Sequence, residues 1–220
     1  MLIGISGMIG SGKSVLSAKL LKHYKENSLL LNEFEEEDPV FNTMLSWLYE
    51  RRPNFDVTFQ AYVIEHHLGM VEKIKNEFHQ KKMNPETDLI FLDRFIAEHY
   101  VFASVNLKNA SDKIKRAYDA FFNNMVTNED IPEFAIFLDV SPTEFKKRLF
   151  ARGRKVEIDS FDDNKLYFDE LLAIYKDTFT KVANKYKIEF QIIDTNNLSE
   201  EEVFEKAVKL IENYKQSKRG

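Results

Sequence analysis

Eight residues near the amino terminus, Gly7-Met8-Ile9-Gly10-Ser11-Gly12-Lys13-Ser14, carry glycines, a lysine and a hydroxyl at the spacing G-x-x-x-x-G-K-[ST]. Glycines let a backbone turn sharply and aim several N–H groups at phosphate oxygens. A lysine at this place reaches the outer phosphates, and a serine hydroxyl after it is a ligand for Mg²⁺. The buried-type run Leu2-Ile3-Gly4-Ile5 comes before the motif, and Leu16, Leu20 and Tyr24 follow at helical spacing. A strand feeding a glycine loop that opens a helix adds the partial positive charge of a helix start to the site. The loop predicts binding of a nucleoside triphosphate with Mg²⁺ beside it, and alone says no more, because GTPases, ATPases and many kinases share it.

Transfer of a phosphoryl group needs an acid to take a hydroxyl proton, an acid for the metal shell and cations for the moving charge. Candidates follow the apolar runs. Asp93-Arg94 closes Leu89-Ile90-Phe91-Leu92, and the acidic stretch Asn32-Glu33-Phe34-Glu35-Glu36-Glu37-Asp38 follows Leu29-Leu30-Leu31. Asp194 closes Phe190-Gln191-Ile192-Ile193 and is expected to contact the nucleotide, because ligands of open α/β sheets sit beyond the carboxyl ends of the strands. Arg148, Arg152 and Arg154 cluster in one basic segment.

These groups need a frame. Short continuous apolar runs suit strands buried on both faces, hence a parallel sheet. Between them, amphipathic segments read as helices, in the order β-α-β-α-α-β-α-α-β-α-α-β-α. The predicted class is α/β: a five-stranded parallel sheet flanked by helices, in one domain over 1–220 with an arginine-rich lid around 148–160. Ser141-Pro142-Thr143-Glu144 reads as a capping box, as does Ser199 with Glu202 ahead of Val203, Ala207, Ile211 and Tyr214. The tail from Lys215 is expected to fray.

A formal charge of −5 argues against a nucleic-acid or anionic-membrane binder. The chain has no cysteine, which removes disulfides, thiolate metal sites and a cysteine nucleophile. No apolar stretch approaches the roughly 20 residues of a membrane span. Met1 to Ser6 carry no basic leader, so a cytoplasmic location is expected.

Five motifs in order, spread over almost the whole chain, resemble the deoxyribonucleoside kinase family. They are the phosphate loop; Glu33 ahead of Pro39; Tyr49-Glu50-Arg51-Arg52-Pro53 with Phe59-Gln60-Ala61-Tyr62; Asp93-Arg94; and Arg148, Arg152-Gly153-Arg154 with Glu157. The resemblance implies ATP-dependent phosphorylation of a deoxynucleoside 5′-hydroxyl, a step of nucleotide salvage. It makes Glu33 the general base, with Glu35 or Glu36 as alternatives in the same acidic run. Arg94 would hold the hydroxyl and the moving phosphate, Lys13 the β- and γ-phosphates, and Ser14 and Asp93 the Mg²⁺. Gln60 would read the base edge between Phe59 and Phe102, while Tyr49 and Glu157 bind the sugar 3′-hydroxyl. Arg148, Arg152 and Arg154 would close over the phosphates, Arg152 also touching the nucleotide. A homodimer is implied, through the segments from Asp38 to Asn84 and from Ser111 to Val126.

Departures from the family pattern concern the base. Family members that take purines or cytosine usually carry an arginine and an aspartate where this chain has His67 and His99. Neutral imidazoles in their place predict broad base tolerance and a preference that shifts between about pH 5.5 and 7.5. Phe95 stands where the family has serine. The spacing from Asp93 to Phe102 is most similar to short bacterial deoxyadenosine and deoxyguanosine kinases, which leans the reading to a purine. Two rivals stand beside it. Asp93-Arg94-Phe95 also resembles thymidylate kinases, which phosphorylate a monophosphate. The second rival is a nucleotide-dependent binding module or switch, which would need the phosphate loop but no lid arginines and no base.

Overall fold

In a computed structural model of the chain, residues 1–32, 39–50, 52, 55–152 and 161–218 are described, without the side chains of Tyr49, Arg152 and residues 161–163. Five strands form one parallel sheet: β1 (Leu2–Gly7), β2 (Ser28–Leu31), β3 (Leu89–Asp93), β4 (Phe134–Asp139) and β5 (Glu189–Asp194), in spatial order β2-β3-β1-β4-β5. The helices are α1 (Lys13–Tyr24), α2 (Pro39–Tyr49), α3 (Asp56–Gln80), α4 (Ile96–Asn106), α5 (Asp112–Met125), α6 (Pro142–Arg152), α7 (Phe161–Lys185) and α8 (Glu200–Ser217). Among the described residues, the order of strands and α-helices matches the sequence reading.

Strands β1 to β4 are apolar on both faces because alternate residues of each run point opposite ways, whereas β5, expected to be buried on both faces, is an edge strand with Glu189, Gln191, Ile192 and Asp194 exposed. Ile3, Ile5, Leu89, Phe91, Ile136 and Leu138 pack against Leu16 and Leu20 of α1 and Val203, Ala207 and Ile211 of α8. On the other face Ile90, Leu92, Ala135 and Phe137 meet Ile64 and Val71 of α3, Phe95, and Phe179 of α7. Phe95 explains one departure from the family pattern. Its ring is fully buried over Gly4 of β1, so close that a Cβ at Gly4 would lie 2.5 Å from Cε1.

The ends of the helices correct two expectations. At α6, Ser141 Oγ accepts from Glu144 N at 3.3 Å, but the second half of the box is missing. The Glu144 carboxylate turns instead to Arg148, and Ser141 N donates to Asn196 Oδ1 at 2.7 Å. A tertiary partner has outcompeted the local one. The Ser199–Glu202 box at α8 is complete. The tail does not fray at Lys215. Helix α8 continues to Ser217, and Lys218 pairs with Glu189 at 2.6 Å and lies over the Tyr214 ring.

Strand β1 is central, and the chain winds first to one side of it (β2, β3) and then to the other (β4, β5). That places the crevice of an open sheet at the carboxyl end of β1. Among the described residues, no helix is long and apolar enough to cross a membrane.

Candidate active site

The phosphate loop leaves β1 through Gly7, whose φ of 146° lies in the region that side chains disfavour; a Cβ there would be 2.6 Å from Leu138 O. Gly12, at φ 99°, is the N-cap of α1 and supplies no side-chain cap, so the first N–H groups of the helix face the loop without a local side-chain acceptor. That is the arrangement an anion occupies at a helix start. Lys13 is buried and folds back, with Nζ donating to Gly7 O at 2.7 Å and Met8 O at 3.3 Å. The ammonium is thus held inside the loop. Ser14 is exposed at the first turn of α1.

Beside the loop, β3 runs in register with β1 so that Asp93 lies opposite Ile5. Asp93 is buried. Arg94 adopts φ 75°, an uncommon left-handed conformation for a non-glycine residue, and its N–H donates to Ile5 O at 3.1 Å. This kink turns the side chain away from the strand direction. The guanidinium carbon lies 4.5 Å from the centre of the Phe102 ring, and Nε lies 2.9 Å from Glu98 Oε2. The Nε–H points off the line to that oxygen, so the contact is an ion pair rather than an aligned hydrogen bond. The other Glu98 oxygen accepts from Gly7 N at 2.8 Å.

Helix α3 brings Phe59, Gln60 and His67 into the interior, and α4 brings His99; all four are buried. Phe59 lies in an aromatic group with Phe41 at 6.0 Å and Phe55 at 6.3 Å. The rings of His67 and His99 meet edge to face. Gln60 Nε2 and His67 Nε2 are buried without a hydrogen-bond partner among the described residues. A buried amide or imidazole left in that state costs about 1–3 kcal/mol, which a ligand's polar edge would recover. Burial is the main force on both imidazoles, lowering His67 to about 4 and His99 well below the usual histidine value. The neighbouring Arg94 charge works in the same direction, and Asp130 opposes it at His67.

Arg148 of α6 forms a tie across the nucleotide side. Its Nη1 donates to Ser11 O at 3.3 Å and Thr195 Oγ1 at 3.0 Å, its Nη2 to Thr195 O at 2.6 Å, and its Nε to Glu144 at 3.0 Å. The planar fork suits so many acceptors in one place. Asp194, exposed at the end of β5, accepts from Asn196 N at 3.0 Å and from Asn196 Nδ2 at 2.6 Å. Those bonds hold its carboxyl below the usual range.

A sequence profile for deoxynucleoside kinases matches residues 3–215. The chain belongs to the deoxynucleoside kinase family. It is an ATP-dependent phosphotransferase that acts on deoxynucleosides. It is similar to an uncharacterised protein of Mycoplasma pneumoniae, 33% identical over 198 residues that span 87% of this chain and 81% of that one. It is also similar to a deoxyguanosine kinase of Lactobacillus johnsonii, 28% identical over 81% of this chain and 76% of the relative. Among solved structures, a deoxyadenosine kinase of M. mycoides with dCMP and dCDP bound superposes with a TM-score of 0.74. That pair shares 25% identity over 97% of this chain and all of the other.

In this deoxynucleoside kinase the structure brings Gly7 to Ser14, Asp93, Arg94 and Arg148 to the carboxyl edge of the sheet. Phe59, Gln60, His67 and His99 line the interior between α3 and α4. Phe102 lies under Arg94 and near Tyr175, so its ring supports the arginine. Glu33, Glu35, Glu36, Arg154 and Glu157, and the side chains of Tyr49 and Arg152, lie outside the described residues. One expectation is corrected. With burial holding His67 near 4 and His99 low, the pair does not titrate between about pH 5.5 and 7.5. Two residues escaped the sequence reading. Thr195 is visible only through its bonds to Arg148. Glu98 looks in sequence like an ordinary first-turn helix acid.

Proposed function

We propose that this kinase moves the γ-phosphate of ATP to the 5′-hydroxyl of a deoxynucleoside, with purine nucleosides preferred among several accepted bases. What carries the reading is the junction of two regions: a phosphate loop beside Asp93-Arg94, and a buried layer whose polar groups, Gln60 and His67, are uncharged near neutral pH and each keep an Nε2 with no hydrogen-bond partner among the described residues. A flat polar base suits such a layer.

In this mechanism the loop amides and Lys13 hold the β- and γ-phosphates of ATP, and Arg148 keeps the loop joined to the turn after β5. Ser14 and Asp93 offer the oxygen donors that Mg²⁺ takes alongside phosphate oxygens and water, and would hold an ion that neutralises phosphate charge. Glu33 takes the proton of the 5′-hydroxyl. Arg94 holds that oxygen and stabilises the charge on the phosphate in flight. Gln60 pairs with the base, with donors and acceptor both available on its amide. Tyr49 and Glu157 bind the 3′-hydroxyl, and Arg152 and Arg154 close over the phosphates. The names of the deoxyguanosine and deoxyadenosine kinases among its relatives support the purine lean. We further propose a homodimer working in the cytoplasm, where ATP and free deoxynucleosides meet.

A thymidylate kinase reading is weaker. The Phe95 that completes the likeness is spent on packing against Gly4. The experiment that separates catalysis from mere nucleotide binding is ATP turnover with and without a deoxynucleoside. Multiple turnovers that depend on the nucleoside support the proposal; hydrolysis indifferent to it, or none with any nucleoside, opposes it.

A further inference from the structure

Glu98 is fully buried, in the first turn of α4, with its N–H on Phe95 O at 2.9 Å. An acid at a helix start is favourable with the helix dipole and is ordinarily left in water. This one reaches the phosphate loop instead, across 91 positions of sequence. Its two oxygens do different work. Oε1 accepts from Gly7 N at 2.8 Å, where the loop leaves β1. Oε2 lies 2.9 Å from Nε of Arg94, itself only 7% exposed.

Stability is a poor reason for such a pair. Taking two charges out of water costs about as much as their attraction returns, and a well-packed apolar pair often does as well. Geometry is a better reason. Arg94 sits at φ 75° on the end of β3, and Gly7 at φ 146° on the end of β1. The arginine's conformation is one a non-glycine residue adopts only when its surroundings hold it there, while the glycine is free to take many others. A carboxylate bridging the two fixes the separation between the nucleotide's loop and the arginine.

We infer that Glu98 is a positioning residue for phosphoryl transfer, one carboxylate that sets the phosphate loop and Arg94 as a single unit. It also tempers Arg94, whose guanidinium is shared between Glu98, the Phe102 face and an incoming phosphoryl group. The inference rests on the proposed role of Arg94, so its test must separate the two.

Glu98→Gln keeps an oxygen for Gly7 N but turns an amide donor toward Arg94 Nε. Turnover should fall about 100-fold, the cost of misplacing a catalytic group by roughly an ångström. The affinity of a non-hydrolysable ATP analogue, measured without nucleoside, should stay within about threefold, because the loop keeps its acceptor. In an Arg94→Gln background, itself impaired, the same substitution should cost no more than about twofold, since residues acting through one another are not additive. If Glu98→Gln proves insoluble, Glu98→Asp carries the test. It keeps the charge but is one methylene short, and should lower turnover at least about tenfold with analogue affinity held. Loss of turnover and of analogue affinity together, or an undiminished penalty in the Arg94→Gln background, would overturn the inference while leaving the proposed reaction standing. Wild-type turnover in Arg94→Gln would overturn both.

Discussion

His67 of α3 and His99 of α4 meet edge to face, ring centres 4.8 Å apart and planes at 67°, with both side chains buried. Under the proposed function, these two rings are the groups that would set which bases are tolerated. Two imidazoles that are neutral at working pH can each donate or accept by changing tautomer.

The first expectation concerns pH. The folded value of His67, about 4, lies below the unfolded value of 6.5, so the unfolded chain takes up the proton first. The stability contributed by the neutral ring is therefore whole above about pH 6.5 and is lost as pH falls toward 4. For His67 the loss is on the order of 3 kcal/mol, and His99 adds to it in the same direction. Urea midpoints should fall between pH 7 and pH 4.5, and fall less in His67→Gln. The ratio of kcat/KM among deoxynucleosides should stay flat from about pH 5.5 to 7.5. Equal acid sensitivity in wild type and variant would refute the assignment.

Specificity gives a second handle on the same pair. His67→Arg with His99→Asp should narrow or redirect base preference, because a site built for one pattern of donors leaves its own groups unpaired with the others. Unchanged ratios of kcat/KM, with only stability lost, would mean that the rings do not face the base.

The general base is tested by Glu33→Gln, which should lower turnover by about two to four orders of magnitude while nucleoside binding survives. Turnover near wild type would move the role to Glu35 or Glu36.

Packing at the sheet makes a stability expectation. A Cβ at Gly4 would lie 2.5 Å and 2.6 Å from Phe95 ring atoms and 3.0 Å from Pro132 Cγ. Phe95 is fully buried and also meets Phe179 edge to face, so it has little room to yield. Gly4→Ala should cost about 1–3 kcal/mol in denaturant unfolding. Gly4→Ala with Phe95→Leu should recover part of that; a neutral single variant would show that the ring can shift.

Much of this was legible in the sequence, for physical reasons that differ by residue. Leu89-Ile90-Phe91-Leu92 could be read as a strand because a run apolar on both sides has to be covered on both sides. The phosphate loop could be read because its glycine and lysine spacing serves one chemistry. Glu98 could not, since a first-turn acid looks the same in sequence whether solvated or buried against a distant strand. Arg148 reads in sequence as a lid arginine closing over the phosphates; its bonds to Ser11 and Thr195 were not legible, because they depend on how β5 and α6 come together. The histidines were visible as a departure, and their titration was misjudged because it depends on burial.

Assembly is checked by mass in solution. Val40, Ile114 and Met125, within the segments expected to pair, are exposed at 53%, 36% and 37%. Light scattering at micromolar concentration should give twice the chain mass, and charged replacements at Ile114 and Met125 should halve it. A monomer in the wild type would end the dimer proposal.

The central claim is that the acceptor is a nucleoside hydroxyl. It is tested most directly by incubating the enzyme and Mg²⁺ with γ-labelled ATP and, separately, deoxyadenosine, deoxyguanosine, deoxycytidine, thymidine and thymidine monophosphate. The expected result is labelled 5′-monophosphate from the nucleosides, fastest with a purine, and little label on the monophosphate. Labelled thymidine diphosphate with no nucleoside phosphorylated would contradict the account.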